Sequence, residues 1–222
     1  MISRTLKYRL NTINYWLYGK KPTLLLHSGP HGDEYEVIDC VKKTIKKYLN
    51  QLPPFLFVPE VSPSAVSTKT RQNKYNHDIN RYFFQETTDQ EVITNLEIIR
   101  NFRFDLYLGF HEHIDHTDFY LYDSSNPKHL VKLKQFMDEI KKLGVELFNG
   151  IDDPEDPILK FKMVDGYVYI DPAFERKTNG TFTSWAFNNN IIKQAIDLEI
   201  PGSISQEKKC QIVDLFFNKI LI

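Results

Sequence analysis

Cysteine is scarce in this chain, with Cys40 and Cys210 the two examples in 222 residues. Two thiols cannot build a disulfide framework or a cysteine-rich zinc knuckle. Long apolar runs are missing too. No stretch approaches the roughly 20 apolar residues of a membrane-spanning helix. The N-terminal segment, Met1 to Thr23, has basic residues but no apolar run of the length a signal peptide needs. Neither sign of charge is in excess: 28 Lys and Arg against 29 Asp and Glu give a formal net charge of −1. A broad nucleic-acid surface needs Lys and Arg massed on one face, so that class of partner is set aside. There is no fixed-period repeat and no low-complexity tract. The absences together predict a cytoplasmic chain with no nucleic-acid or membrane partner. Both thiols are then expected to be reduced and buried as small apolar side chains.

What the chain does have is globular. Apolar residues make up 41% and charged residues 26%, a balance that separates it from disordered sequences. Aromatics are abundant, with 16 Phe and 12 Tyr, and packing is their commonest use. The length suits one domain over residues 1–222 that buries about 70–75% of its unfolded surface. It leaves room for a catalytic core and predicts no pro-segment or accessory domain.

Short apolar runs alternate with helical spacing along the chain. Thr23–Leu26 (TLLL), Phe55–Val58 (FLFV), Asp105–Phe110 (DLYLGF), Phe119–Tyr122, Lys160–Ile170 and Ala195–Ile200 (AIDLEI) read as strands. Asp33–Leu49, Asp89–Phe102, Lys128–Leu143 and Ser205–Leu221 read as helices. Pro59–Asp78 reads as a long loop and Asp152–Pro157 as a surface loop. This alternation predicts an α/β fold: a mixed, mostly parallel sheet with helices on both faces. In such sheets, ligands bind beyond the carboxyl ends of strands.

The residues suited to chemistry fall at those ends. His31 and Glu34, three apart after TLLL, can converge on one ion. His111 and His113, at the end of DLYLGF, would share a face of a regular strand, so either could complete the set and the other support it. His113 with His116 lacks the helical context that would let it bind metal alone. Two histidines and one carboxylate with an open fourth position is a catalytic zinc arrangement, whereas structural zinc is usually closed by four ligands. Asn80 and Arg81 suit a carboxylate, because guanidinium grips it bidentately and the amide adds a donor. Arg71 could hold a developing oxyanion. Asp197 and Glu199 share one face of a late strand, where a carboxylate can be an ion-pair member or a catalytic group.

Four motifs in this order, His31-Gly32-Asp33-Glu34, Asp78-Ile79-Asn80-Arg81, His111 after a strand, and Glu199 in a Leu-Glu-x-Pro strand end, resemble the zinc carboxypeptidase family. The resemblance spans Leu24 to Pro201. A succinylglutamate desuccinylase/aspartoacylase-like branch is similar to the same motif set. The resemblance implies a roughly eight-stranded sheet and one zinc ion held by His31, Glu34 and His111. It implies Glu199 as general base and then general acid, Arg71 as oxyanion stabiliser, and Asn80 and Arg81 as the grip on a terminal carboxylate. Tyr167 and Tyr169 are candidates for the family's substrate-covering tyrosine, with Tyr169 taken as substrate-binding. The expected substrate is a peptide or N-acyl amino acid with a free carboxylate. The chain departs from the family at Val61-Ser62-Pro63-Ser64-Ala65, where Asn-Pro-Asp-Gly is usual, and at Gly109-Phe110, where Asp-Leu commonly precedes the histidine.

Overall fold

The apolar runs line up side by side in the sheet. The structure is a computed structural model, and it describes residues 6–125, 129–152, 160–175 and 180–222. The strands are β1 (Leu6–Leu10), β2 (Ile13–Tyr18), β3 (Leu24–Ser28), β4 (Phe55–Val58), β5 (Leu106–His113), β6 (Tyr120–Ser124), β7 (Gly150–Ile151), β8 (Lys162–Met163), β9 (Tyr167–Tyr169) and β10 (Ala195–Pro201). The helices are α1 (Glu36–Tyr48), α2 (Pro63–Thr68), α3 (Gln90–Ile99), α4 (Leu130–Lys142), α5 (Pro172–Glu175), α6 (Phe182–Asn188) and α7 (Gln206–Phe216). Eight strands form one sheet in the order β1-β2-β4-β3-β5-β10-β6-β9, and β7 pairs with β8 apart from it. The pairs β3–β4, β3–β5, β5–β10 and β6–β9 are parallel, whereas β1–β2, β2–β4 and β6–β10 are antiparallel. The expected mixed α/β sheet is therefore present, with the parallel run β4-β3-β5-β10 at its centre.

Period-two alternation divides the core between the two faces of this sheet. Leu24, Leu26, Phe57, Phe110, Leu198 and Ile200 pack with α1, α4 and α7 on one face. Leu25, Leu56, Val58, Tyr107 and Ala195 pack with α3 and α6 on the other. Both faces are covered, so β3 and β4 are buried at every position, which is why they read as unbroken apolar runs. Truncating a side chain such as Leu108, fully buried at the centre, is expected to cost about 2–5 kcal/mol.

Several expectations are corrected. Cys40 and Cys210 are joined in a disulfide across 170 residues, with Cα atoms 4.6 Å apart. The cause is tertiary: α1 and α7 pack on the same face of the sheet, which nothing local to either cysteine signals. The long loop after β4 contains α2, started by Pro63 and ended at Lys69 in a left-handed conformation. Residues 160–170 are two short strands separated by Asp165 and Gly166, both at positive φ, not one. The hairpin β1–β2 and helix α6 were not read from the sequence. Of the Asp152–Pro157 loop, residues 153–157 lie outside the described residues, as does Lys128. Among the described residues, no helix is long and apolar enough to cross a membrane.

Candidate active site

Strands β3, β5 and β10 are parallel neighbours, so their carboxyl ends share one edge. His31 and Glu34 lie in the turn between β3 and α1, and His111 lies near the end of β5. Gly32 makes that turn possible. A Cβ there would stand 1.8 Å from the Ala65 backbone oxygen of α2, and its own N–H donates to the Thr70 carbonyl at 2.9 Å. Glu199 pairs in register with His111, and Asp197 with Gly109. Gly109 is needed for a different reason: a Cβ would sit 1.9 Å from Asp197 Oδ1. Gly109 thus makes room for the Asp197 carboxylate, which accepts from Thr183 Oγ1 at 3.1 Å.

His31, Glu34 and His111 are all buried, and one ligand atom from each lies within 4.8 Å of the others. Among the described residues, no other group of three such side chains meets that condition. Glu34 Oε1 contacts His31 Nδ1, and Glu34 Oε2 lies 3.0 Å from His111 Nδ1. Yet Glu34 Oε2 is buried with no aligned hydrogen bond. Burial opposes protonation of His111, but Glu34 outweighs it and lifts this imidazole to about 10. Burial likewise opposes protonation of His31, which Glu34 and Asp78 overcome. Burial would raise Glu34, but the two histidines hold it well below the usual carboxylate range. Three donors thus converge on one point, with Glu34 Oε2 left without an aligned hydrogen bond. That donor set fits a divalent metal ion.

Asp78 supports the group from outside. Its Oδ1 accepts from His31 Nε2 at 2.9 Å and from the Asn80 N–H at 3.0 Å. Its Oδ2 takes Arg71, with Nη2 at 2.9 Å. Burial would raise this carboxyl, but His31, Arg71 and Arg81 hold it low. His113 lines the cavity but is not one of the three converging donors: its Nδ1 bonds the Tyr120 hydroxyl at 2.6 Å, and its ring stacks on His116. His27 is buried on the same side of the sheet, packed against Phe182 and Tyr107. Burial and the nearby His111 push it down to about 3, so it stays neutral.

A cavity of about 290 Å³ opens over the three donors. Arg71, Asn80, Arg81, Asp197 and Glu199 line it, with Tyr120, Tyr122, Thr183 and Glu175. Asn80 Oδ1 accepts from the Phe182 N–H at 3.0 Å, which ties it to the start of α6. Arg81 Nη1 donates to the Asn80 carbonyl at 3.0 Å. Arg71 is half exposed at the rim. Burial pushes the Glu199 carboxyl up to about 7, against the opposing pull of His111. Tyr169 is 47% exposed on β9 and is not among the lining residues. Tyr167 donates its hydroxyl to Asp123 Oδ2 at 2.8 Å. The lining tyrosines come instead from β6, where Tyr120 pairs with Glu199 and Tyr122 with Asp197. Alternation along FYLY was the signal that could have pointed to them. Asp78, read as the first residue of DINR but given no role of its own, turns out to orient a candidate ligand.

Comparison with known proteins follows the same lines. The succinylglutamate desuccinylase/aspartoacylase catalytic domain matches residues 20–208. A Shewanella amazonensis protein named as a candidate metallopeptidase superposes with a TM-score of 0.77 at 16% identity, over 97% of this chain and 85% of that one. A metallo-carboxypeptidase from Burkholderia cenocepacia gives 0.67 at 13% identity, over 98% and 64%. A succinylglutamate desuccinylase/aspartoacylase from Rhodobacter sphaeroides gives 0.57 at 19% identity, over 95% and 60%. At these identities the superpositions show a shared fold. A search of curated proteins by sequence found no match.

Proposed function

The chain belongs to the succinylglutamate desuccinylase/aspartoacylase family of zinc carboxypeptidase-like hydrolases, and from the geometry of its site we propose that it is a zinc-dependent hydrolase that cleaves the C-terminal amide bond of a peptide. One observation carries the reading: three metal-capable donors, Glu199 and the Asn80–Arg81 pair all line one cavity. His31, Glu34 and His111 would hold a single zinc ion. Bound there, zinc supplies Lewis acidity toward water and the scissile carbonyl.

The chain's own residues do the rest. Asn80 and Arg81 seat the substrate's free carboxylate and so place the last amide bond over the donors. Arg71, held by Asp78, carries a guanidinium at the rim where charge develops on the carbonyl oxygen. Glu199 takes a proton from the attacking water and hands it to the leaving nitrogen. Burial in the cavity raises this carboxyl above the ordinary glutamate range, which favours its taking up that proton.

A second reading is deacylation of a small N-acyl amino acid by the same residues. The family match favours it, as does a cavity at the small end for organic ligands. The test is a panel offered to the zinc-loaded protein. Release of the last residue from peptides with free, but not amidated, C-termini supports the peptidase. Turnover of N-succinyl or N-acetyl amino acids with peptides inert supports the deacylase. Full zinc occupancy without any hydrolysis contradicts both and leaves a carboxylate-binding module. Glu199→Gln is expected to keep zinc and lose at least ~10²-fold in rate.

A further inference from the structure

Beside the metal-capable group, where Glu112 lines the inner end of the cavity and reaches toward α1 and α7, lies a buried charge set that the chemistry above does not use. Alternation along β5 sends His111 to the cavity side and Glu112 to the side of α1 and α7. Lys209 of α7 is 2% exposed, and its Nζ lies 2.5 Å from Glu112 Oε2 and 2.6 Å from Glu36 Oε2. Glu112 Oε1 accepts from the Val37 N–H at 2.8 Å. Helix α1 has no side-chain cap of its own, so this carboxylate from another strand satisfies its first turn. Desolvating an ammonium and a carboxylate costs several kcal/mol per ion, and an apolar pair often serves stability equally well. The return is geometric. One carboxylate stands a single residue from His111 and also holds a helix start three residues past Glu34. The third element, α7, is tied to α1 by Cys40–Cys210, and Cys210 adjoins Lys209 in sequence.

We propose that Glu112 and Lys209 are positioning residues for the metal centre: their pair locks the strand carrying His111 against the helix start that follows Glu34, and so sets the spacing of the ligands. The inference rests on the metal reading of His31, Glu34 and His111. Groups that hydrogen-bond a ligand directly change metal affinity about 10–100-fold, and this pair, one residue from His111, is expected to act at the lower end of that range.

The test uses the full chain and two metals. Zinc affinity is measured by competition with a chromophoric chelator, and ligand geometry by the visible absorption of the cobalt(II)-loaded protein. The double variant Glu112→Gln/Lys209→Met removes both charges of the buried pair, and Glu36, which loses Lys209, is about a third exposed and stays hydrated. It is expected to fold, to bind zinc about tenfold more weakly and to show shifted cobalt bands. Lys209→Arg, which can keep both ion pairs, is expected to retain wild-type affinity. A folded double variant with wild-type zinc affinity and cobalt spectrum overturns the proposal. If the double variant does not fold, Glu112→Asp decides, because it keeps the charge and shortens the tether. A tenfold loss of affinity supports the proposal there, and wild-type affinity overturns it. Absence of zinc binding in the wild type is a different result, since it contradicts the metal site itself.

Discussion

His31 and Asp78 are bonded through Nε2 and Oδ1 at 2.9 Å, which reserves the other ring nitrogen, Nδ1, for the side facing Glu34. The same carboxylate holds Arg71. One residue therefore orients a metal-capable imidazole and a rim guanidinium together. Asp78→Ala is expected to weaken zinc binding about 10–100-fold. Zinc titration of the variant checks this, and unchanged affinity would show that packing alone orients His31.

The disulfide predicts no free thiol in the native protein under denaturing, non-reducing conditions, and two after reduction. Closing a loop of 170 residues places its contribution at the upper end of the usual range, about 2–5 kcal/mol. The double variant Cys40→Ser/Cys210→Ser should lose about that much in urea unfolding. Two titratable thiols in the untreated protein would count against the bond.

Glu175 gives stability a pH dependence. Burial, and then the charge of Asp197, raise its carboxyl from 4.5 to about 7, partly offset by a hydrogen bond from Ser124. Below pH 4.5 the group is protonated in both states and costs nothing. Between pH 4.5 and 7 the unfolded chain ionises first, so stability is lost as pH rises and the loss is complete above 7. The full effect is on the order of 3 kcal/mol. Urea unfolding at pH 5 and pH 8 measures it. Glu175→Gln should show a smaller drop between the two pH values than the wild type. An equal drop in both would remove Glu175 as the cause.

The central sheet was legible because its strands are buried on both faces. FLFV and AIDLEI became β4 and β10 almost residue for residue. The edge hairpin β1–β2 was not, since the buried positions of β2, Ile13 and Trp16, stand three apart in INYWLY and break the period of two. Of the site, the residues that meet in sequence motifs were legible: His31 and Glu34 in one turn, Asn80 and Arg81 in another, His111 and Glu199 at strand ends. The contacts that cross between motifs were not. Asp78 to His31 spans 47 positions, and Lys209 to Glu112 spans 97. Such pairings depend on the register of three elements at once, which no local pattern encodes. The cysteine pair failed for the same reason, because its proximity is a property of α1 beside α7.

The most direct measurement is the zinc content of purified protein, wild type beside His31→Ala and Glu34→Ala, with folding checked by circular dichroism. One zinc per wild-type chain, and marked loss in both folded variants, is the predicted result. Zinc content unchanged in both variants would contradict the assignment of these residues as ligands, and with it the proposed hydrolase.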